Sequence, residues 1–193
     1  MIEEQDLIYQ VQSGNRNAFR QLVEEYKSKV YYLAYDLTGN HTDADDLSQE
    51  VFIRIFHSIA NFRHESKFST WVYRVTINCW LNMKKSVGYK SRGKQESLES
   101  NVYLNEQKVS EHNPVQDAEK ADLHKFIKNA LHRLSPKEKS VFIMRHYHDL
   151  SLKDIGVALN ISVGTVKSVL FRAIKKLQKQ LAGYKNELSW EKN

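Results

Sequence analysis

The side chains best suited to holding an anion lie near the C-terminus. Lys167, Ser168, Arg172, Lys175, Lys176 and Lys179 follow one another with no acid between them. Cations on one helix meet phosphates, and free N–H groups at the start of that helix serve the same ligand. The residues just before supply what two helices joined at a steep angle need. Gly156 is the small residue at their approach, and Asn160 tolerates a left-handed turn. Ile155, Leu159, Ile161, Val166 and Leu170 lock the pair. A basic second helix in a helix-turn-helix is what major-groove reading of duplex DNA requires. A basic helix packed in a bundle, or bound to a protein, would show the same charges.

Residues 62–85 suggest a different nucleic-acid chemistry. Five aromatics (Phe62, Phe68, Trp71, Tyr73, Trp80) interleave with Arg63, Lys67, Arg74, Lys84 and Lys85. Aromatic faces beside cations suit single strands, because every unpaired base offers a face to stack on. Helical spacing puts Trp71 with Val75 on a buried side and leaves Tyr73, Asn78 and Trp80 as candidates for the exposed side. Aromatic helices also build ordinary cores.

A third stretch has the opposite sign. From Val30 to Ile53 there is no Lys or Arg, yet Asp36, Asp43, Asp45, Asp46 and Glu50 are present. One small domain thus carries an acidic face and a basic face. Over the whole chain the formal charge is +6. Residues 1–85 hold 10 basic and 11 acidic side chains, residues 86–118 hold 4 and 5, and residues 119–193 hold 15 and 7. The entire excess, net +8, therefore sits in the C-terminal part, where an anionic partner belongs.

Covalent chemistry has no comparable carrier. The chain has no Gly-rich phosphate loop, no HExxH and no CxxC. Its single cysteine, Cys79, reads as a small buried hydrophobe and cannot form an internal disulfide. His146, His148 and Asp149 could approach a metal, though such a cluster more often forms a solvated helix end. The N-terminus is acidic and lacks an apolar segment, so no signal peptide is expected. No apolar run nears the ~20 residues of a membrane span.

These side chains must be positioned by helices. Leu7, Ile8 and Val11 precede a stop at Gly14, and Phe19 to Leu37 recur at helical steps up to Gly39. Thr42 with Asp45 reads as an N-cap pair opening a third helix. Its apolar stripe is Leu47, Val51, Ile55 and Ile59, widened by Phe52 and Phe56. A fourth helix runs from about Ser69 to Lys85. Residues 86–118 turn Ser-, Gly-, Lys-, Glu-, Gln- and Asn-rich, and Pro114 closes them. This linker could reach roughly 110 Å when extended. Leu123 to Leu134 form a further helix, then Ser135-Pro136-Lys137-Glu138 reads as cap, first-turn proline and capping box. Ser151 and Ser162 open the last two helices, the final one ending near Leu181. The fold class is all-α: two small helical domains, 1–85 and 119–182, joined by a flexible linker 86–118, with a frayed tail 183–193.

Three stretches, DADDLSQEVFIRIF (43–56), FRHESKFSTWVYRVTINCWLN (62–82) and LSLKDIGVALNISVGTVKSVLFRAIKKL (150–177), resemble bacterial sigma factors of the extracytoplasmic-function group. Those factors have only a region-two and a region-four domain, and the resemblance covers nearly the whole chain in matching order. It implies an alternative sigma factor that binds core RNA polymerase, recognises minus-ten and minus-thirty-five elements, and serves a stress or envelope regulon. It implies no enzyme activity, cofactor or metal. Asp43, Asp46, Gln49, Glu50 and Phe52 become polymerase contacts, with the beta-prime clamp helices and the beta flap as the surfaces they and region four meet. Arg63, His64, Glu65, Ser66 and Lys67 match the loop that captures a flipped base. Tyr73, Arg74, Thr76, Ile77 and Asn78 lie on the minus-ten helix beside it. Ser162, Gly164, Thr165, Lys167, Ser168, Phe171, Arg172 and Lys175 fall on minus-thirty-five positions. An anti-sigma factor and a cytoplasmic location, with no membrane contact of its own, are further implications. Ser162 stands where many members have proline, and Val169 where many have Arg or His, which removes an expected DNA contact. A free-standing helix-turn-helix regulator is the alternative, and it leaves the acidic 43–50 segment without a purpose.

Overall fold

The structure, a computed structural model, describes residues 4–90 and 126–190. All regular structure among the described residues is helical. Helix α1 spans Glu4–Gln12, α2 Arg16–Thr38 and α3 His41–Ser58. A single 3-10 turn, Ile59–Asn61, leads to α4, Phe68–Lys90. Residues 126–132 are helical. They are followed by α5, Pro136–His146, then α6, Leu152–Leu159, and α7, Val163–Trp190.

Local chemistry sets these boundaries. Asn15 caps α2 by accepting hydrogen bonds from the Asn17 and Ala18 N–H groups. Gly39 ends it at φ 85°, and its N–H donates to the Tyr35 carbonyl. A side chain there would also crowd His132 and Lys128, whose atoms lie 3.1 Å from the position of a Cβ. Helix α3 opens two residues earlier than expected. Asn40, rather than the Thr42 and Asp45 pair, accepts the Asp43 N–H at 2.7 Å. The box at Ser135 forms in both directions: Glu138 accepts from the Ser135 N–H, and Ser135 Oγ accepts from the Glu138 N–H. Glu138 also holds the Lys176 ammonium at 2.7 Å, which ties the start of α5 to α7.

Leu22, Tyr26, Val30, Leu33 and Leu37 of α2 pack with Leu47, Val51 and Ile55 of α3 and with Trp71, Val72, Ile77 and Trp80 of α4. Each such burial contributes about 1.5–3 kcal/mol, which is enough to fix the orientation of α3 and α4. The same apolar cluster continues into the C-terminal block through Val141, Ile143, Met144, Ile155, Ala158, Val166 and Val169. The two blocks are thus packed together. A smaller cluster, Ala130, Leu131, Leu134, Ala173 and Leu177, holds residues 126–134 against α7.

Three expectations read differently. Phe56, assigned to the α3 core stripe, is 48% exposed, because Val51 and Ile55 already fill that stripe. Helix α4 continues past Lys85 to Lys90, and α7 continues past Leu181 to Trp190, through the stretch expected to be a frayed tail. Most of the expected linker, 91–118, and the Leu123 end of the following helix lie outside the described residues.

Candidate nucleic-acid and protein interfaces

Helices α6 and α7 meet at 101°, with the turn between them held by its own backbone. Asn160 sits at φ 52°, ψ 50°, and the Ile161 N–H donates to the Gly156 carbonyl at 2.9 Å. A Cβ on Gly156 would lie 2.9 Å from the Ile161 carbonyl oxygen, so glycine is required for the approach. Ser162 caps α7 by accepting the Thr165 N–H at 3.1 Å. Val166, Val169, Ala173 and Leu177 face inward. Gly164, Lys167, Ser168, Phe171, Arg172 and Lys175 share the exposed side, with Ser162 exposed at the entry and Thr165 half-buried. Phe171 is 58% exposed and carries the Lys175 ammonium 4.8 Å from its ring centre. The eight expected residues therefore form one basic face with an apolar finger. Val169 is fully buried, so its expected cost to DNA contact is corrected: in this fold the position belongs to the core.

The 63–67 loop leaves Arg63, His64, Glu65 and Lys67 exposed and Ser66 half-buried. His64 has φ 58°, the left-handed region that side chains other than glycine seldom occupy. Phe62 beneath it is buried, with Phe68 5.2 Å and Trp71 5.5 Å away between ring centres. Lys67 accepts the Trp71 N–H and so starts α4. Cations on a loop anchored by an aromatic floor can hold a phosphate beside an unpaired base.

Along α4 the expected residues divide. Arg74 and Asn78 are exposed and Tyr73 is half-buried. Thr76 and Ile77 are fully buried, which corrects their expected place on an open face. Thr76 lies in the crease against α2 with Tyr26, Val30 and Leu33, and its hydroxyl donates to the Val72 carbonyl. Ile77 and Trp80 sit at helical spacing between Tyr73, which reaches His148 of the C-terminal block, and Lys84. Trp80, expected to be exposed, is 1% exposed, and its Nε1 has no hydrogen-bond partner among the described residues.

On α3, Asp46 and Gln49 are exposed, while Asp43, Glu50 and Phe52 are half-buried. The Asp43 carboxylate accepts from the Asn40 side-chain amide at 2.7 Å. Glu50 pairs with Arg54 at 2.6 Å. Ile53 and Phe56 are 54% and 48% exposed and continue the stripe of Asp46 and Gln49. An acidic edge beside an open apolar pair fits a basic protein surface with an apolar seat.

A family model described as Sigma-70 region 2 matches residues 22–88, and one described as Sigma-70, region 4 matches residues 130–179. The ECF RNA polymerase sigma factor SigW of Bacillus subtilis is 34% identical over 176 residues, 90% of this chain and 94% of that protein. The chain belongs to the ECF RNA polymerase sigma factors. The ECF sigma-E factor of Escherichia coli is 30% identical, over 89% of this chain and 91% of that protein. Among solved structures, RpoE of Bartonella quintana, in complex with the anti-sigma factor NepR, superposes with a TM-score of 0.67 at 21% identity. The superposition covers 85% of this chain and 96% of that one, a likeness of fold. The protein is an alternative sigma factor: it binds core RNA polymerase and promoter DNA, initiates transcription, and is no enzyme itself.

Other candidate chemistry in this sigma factor is spoken for. Burial raises the Cys79 thiol to about 11, with Arg54 opposing and Glu50 adding, so it stays protonated. His148 bonds Asp36 and Tyr73, and His146 packs its ring 4.7 Å from Phe142. No group of three His, Cys, Asp or Glu side chains able to hold a metal occurs among the described residues. Sequence reasoning missed Ile53 as part of the α3 face, although its step of four from Gln49 could have shown it.

Proposed function

We propose that this sigma factor divides initiation among three faces. Asp46, Gln49, Glu50, Ile53 and Phe56 seat the beta-prime clamp helices, the acids by charge and the apolar pair by burial. The loop 63–67, with Tyr73, Arg74 and Asn78, takes the opened minus-ten strand. The exposed side of α7 reads the minus-thirty-five duplex, with Lys167, Arg172 and Lys175 on phosphates and bases. The observation that carries this division is the α7 face. Between Gly164 and Lys176 its exposed residues are basic or small apart from Phe171, and Val166, Val169 and Ala173 on the opposite side are buried. The beta flap is the expected seat of the C-terminal block. Cytoplasmic location follows from acting on polymerase.

An anti-sigma factor is proposed as the regulator, on the support of a fold shared with RpoE, which was solved with NepR. A regulon of stress or envelope genes is part of the same proposal, supported by the likeness to SigW and the sigma-E factors. Reconstitution tests the reading: core polymerase plus this chain should give transcripts from a two-element promoter, and neither alone should. Tight duplex binding without polymerase, together with no binding to core, would instead mark a free-standing helix-turn-helix regulator.

A further inference from the structure

Helix α1 is used by none of the three faces, yet it is bound to the loop that handles opened DNA. Leu7, Ile8 and Val11 bury its inner side. The Gln12 amide donates to the carbonyls of Ile59 and Phe62, both at 3.0 Å, at the mouth of the loop. Tyr26 donates to the Glu4 carboxylate and holds the other end. The outer side then presents Tyr9, 55% exposed, stacked on His64 with ring centres 4.8 Å apart and planes at 22°. Phe62 lies 4.7 Å beyond His64. The aromatic run Phe62, His64, Tyr9 thus starts in the core and ends in solvent.

His64 is turned onto this run by a left-handed backbone that opposes a Cβ. The conformation is held although both rings stay open to water. Tyr9 covers His64 with one face and leaves the rest of its ring free. Arg63 and Lys67 stand exposed on the same loop as sources of positive charge for a phosphate. We propose that Tyr9, backed by His64, is a stacking platform for one unpaired base of the opened minus-ten strand, next to the base taken by the loop. The ligand class is single-stranded DNA, for which an aromatic face beside cations is a sequence-tolerant seat. The proposal rests on reading 63–67 as the loop that acts on opened DNA.

The test uses polymerase holoenzyme and a forked promoter with an unpaired non-template minus-ten strand carrying a fluorescent aminopurine at one position at a time. With wild type, one position adjacent to the captured base should be quenched by stacking. Tyr9→Phe and Tyr9→Trp should keep the quenching. Tyr9→Ala should abolish it and weaken fork binding about tenfold, while duplex binding upstream is unchanged. Retained quenching and affinity in Tyr9→Ala would overturn the proposal. So would an equal loss on closed duplex, which would make Tyr9 a structural prop. Replacing Arg63-His64-Glu65 by Gly-Ala-Gly separates the two levels. If that variant also binds the fork like wild type, the reading of the loop fails. If it weakens fork binding while Tyr9→Ala does not, only the platform fails.

Discussion

His148 and Asp36 meet across the two regions: the imidazole Nε2 lies 2.9 Å from the Asp36 Oδ2. The other ring nitrogen is 3.2 Å from the Tyr73 hydroxyl. One tautomer serves both contacts, with Nε2–H donating to the carboxylate and Nδ1 accepting from Tyr73. The side chains are 10% and 22% exposed, so little water competes. A loop of region 4 is thereby pinned to α2 and α4 of region 2. Tyr73, a candidate minus-ten residue, is engaged in the same contact.

Removing either partner should loosen this packing. Asp36→Ala or His148→Ala leaves a polar group poorly satisfied and should cost the packed arrangement about 1–3 kcal/mol. Small-angle scattering checks this: both variants should show a larger radius of gyration with unchanged helical circular dichroism. Equal radii would mean the apolar cluster alone holds the regions together.

Lys139 adds a pH signature. It is 5% exposed, and burial, reinforced by Lys84 and Lys128 and opposed by Asp36, lowers its ammonium from 10.5 to about 8. A lysine whose folded pKa is depressed disfavours the folded form wherever it is protonated. Its penalty is therefore full below about 8 and shrinks as pH rises toward 10.5. Lys139→Met should stabilise the protein at neutral pH by up to roughly 3 kcal/mol, and the gain should fade over that alkaline range. Urea melts at several pH values read both effects.

The opposite sign applies to Glu138. Burial raises its carboxyl, but hydrogen bonds from Lys176 and Ser135 outweigh it and hold the group below the usual carboxylate range. Its contribution is present above the ordinary value of 4.5 and is lost as pH falls through the lowered one. Glu138→Ala removes both the cap and the tie to α7, and should cost about 1–3 kcal/mol in thermal unfolding at neutral pH, with most of that difference gone in acid.

The α3 face predicts a defect in assembly rather than folding. Asp46→Arg with Glu50→Lys should abolish binding to core polymerase, since like charges at a complementary interface repel by several kcal/mol. Glu50→Lys also sets a cation beside Arg54, now its 2.6 Å partner. Phe56→Ala should weaken core binding by more than it lowers stability, because its ring is half open to solvent and only its other half rests on Phe19. Pull-down with core polymerase, beside melting curves, reads both.

What was legible in the sequence was local. The caps at Ser135 and Ser151, the left-handed Asn160, the close approach at Gly156 and the basic side of α7 depend on neighbours within a few residues. The sides of α4 were less legible. Thr76, Ile77 and Trp80 are polar, aliphatic and aromatic, and each suits an open or a closed face. Their burial depends on α2 and on region 4, distant in sequence. Phe56 was misplaced for the same reason: periodicity marks a stripe, not its width. Tyr9 carried no signal, because its partner His64 lies on a loop with no period to match.

The separation of the two DNA faces is tested most directly by permanganate reactivity of minus-ten thymines, measured together with upstream footprint protection. Arg172→Ala should lose upstream protection, by about 1–3 kcal/mol if its guanidinium is bidentate to a guanine, and should keep most of that defect on premelted DNA. Replacing Arg63-His64-Glu65 by Gly-Ala-Gly should keep upstream protection and lose thymine reactivity, because base capture offsets the few kcal/mol of unpairing. If the loop variant loses upstream protection while Arg172→Ala loses only opening, the roles assigned to α7 and to the loop are contradicted.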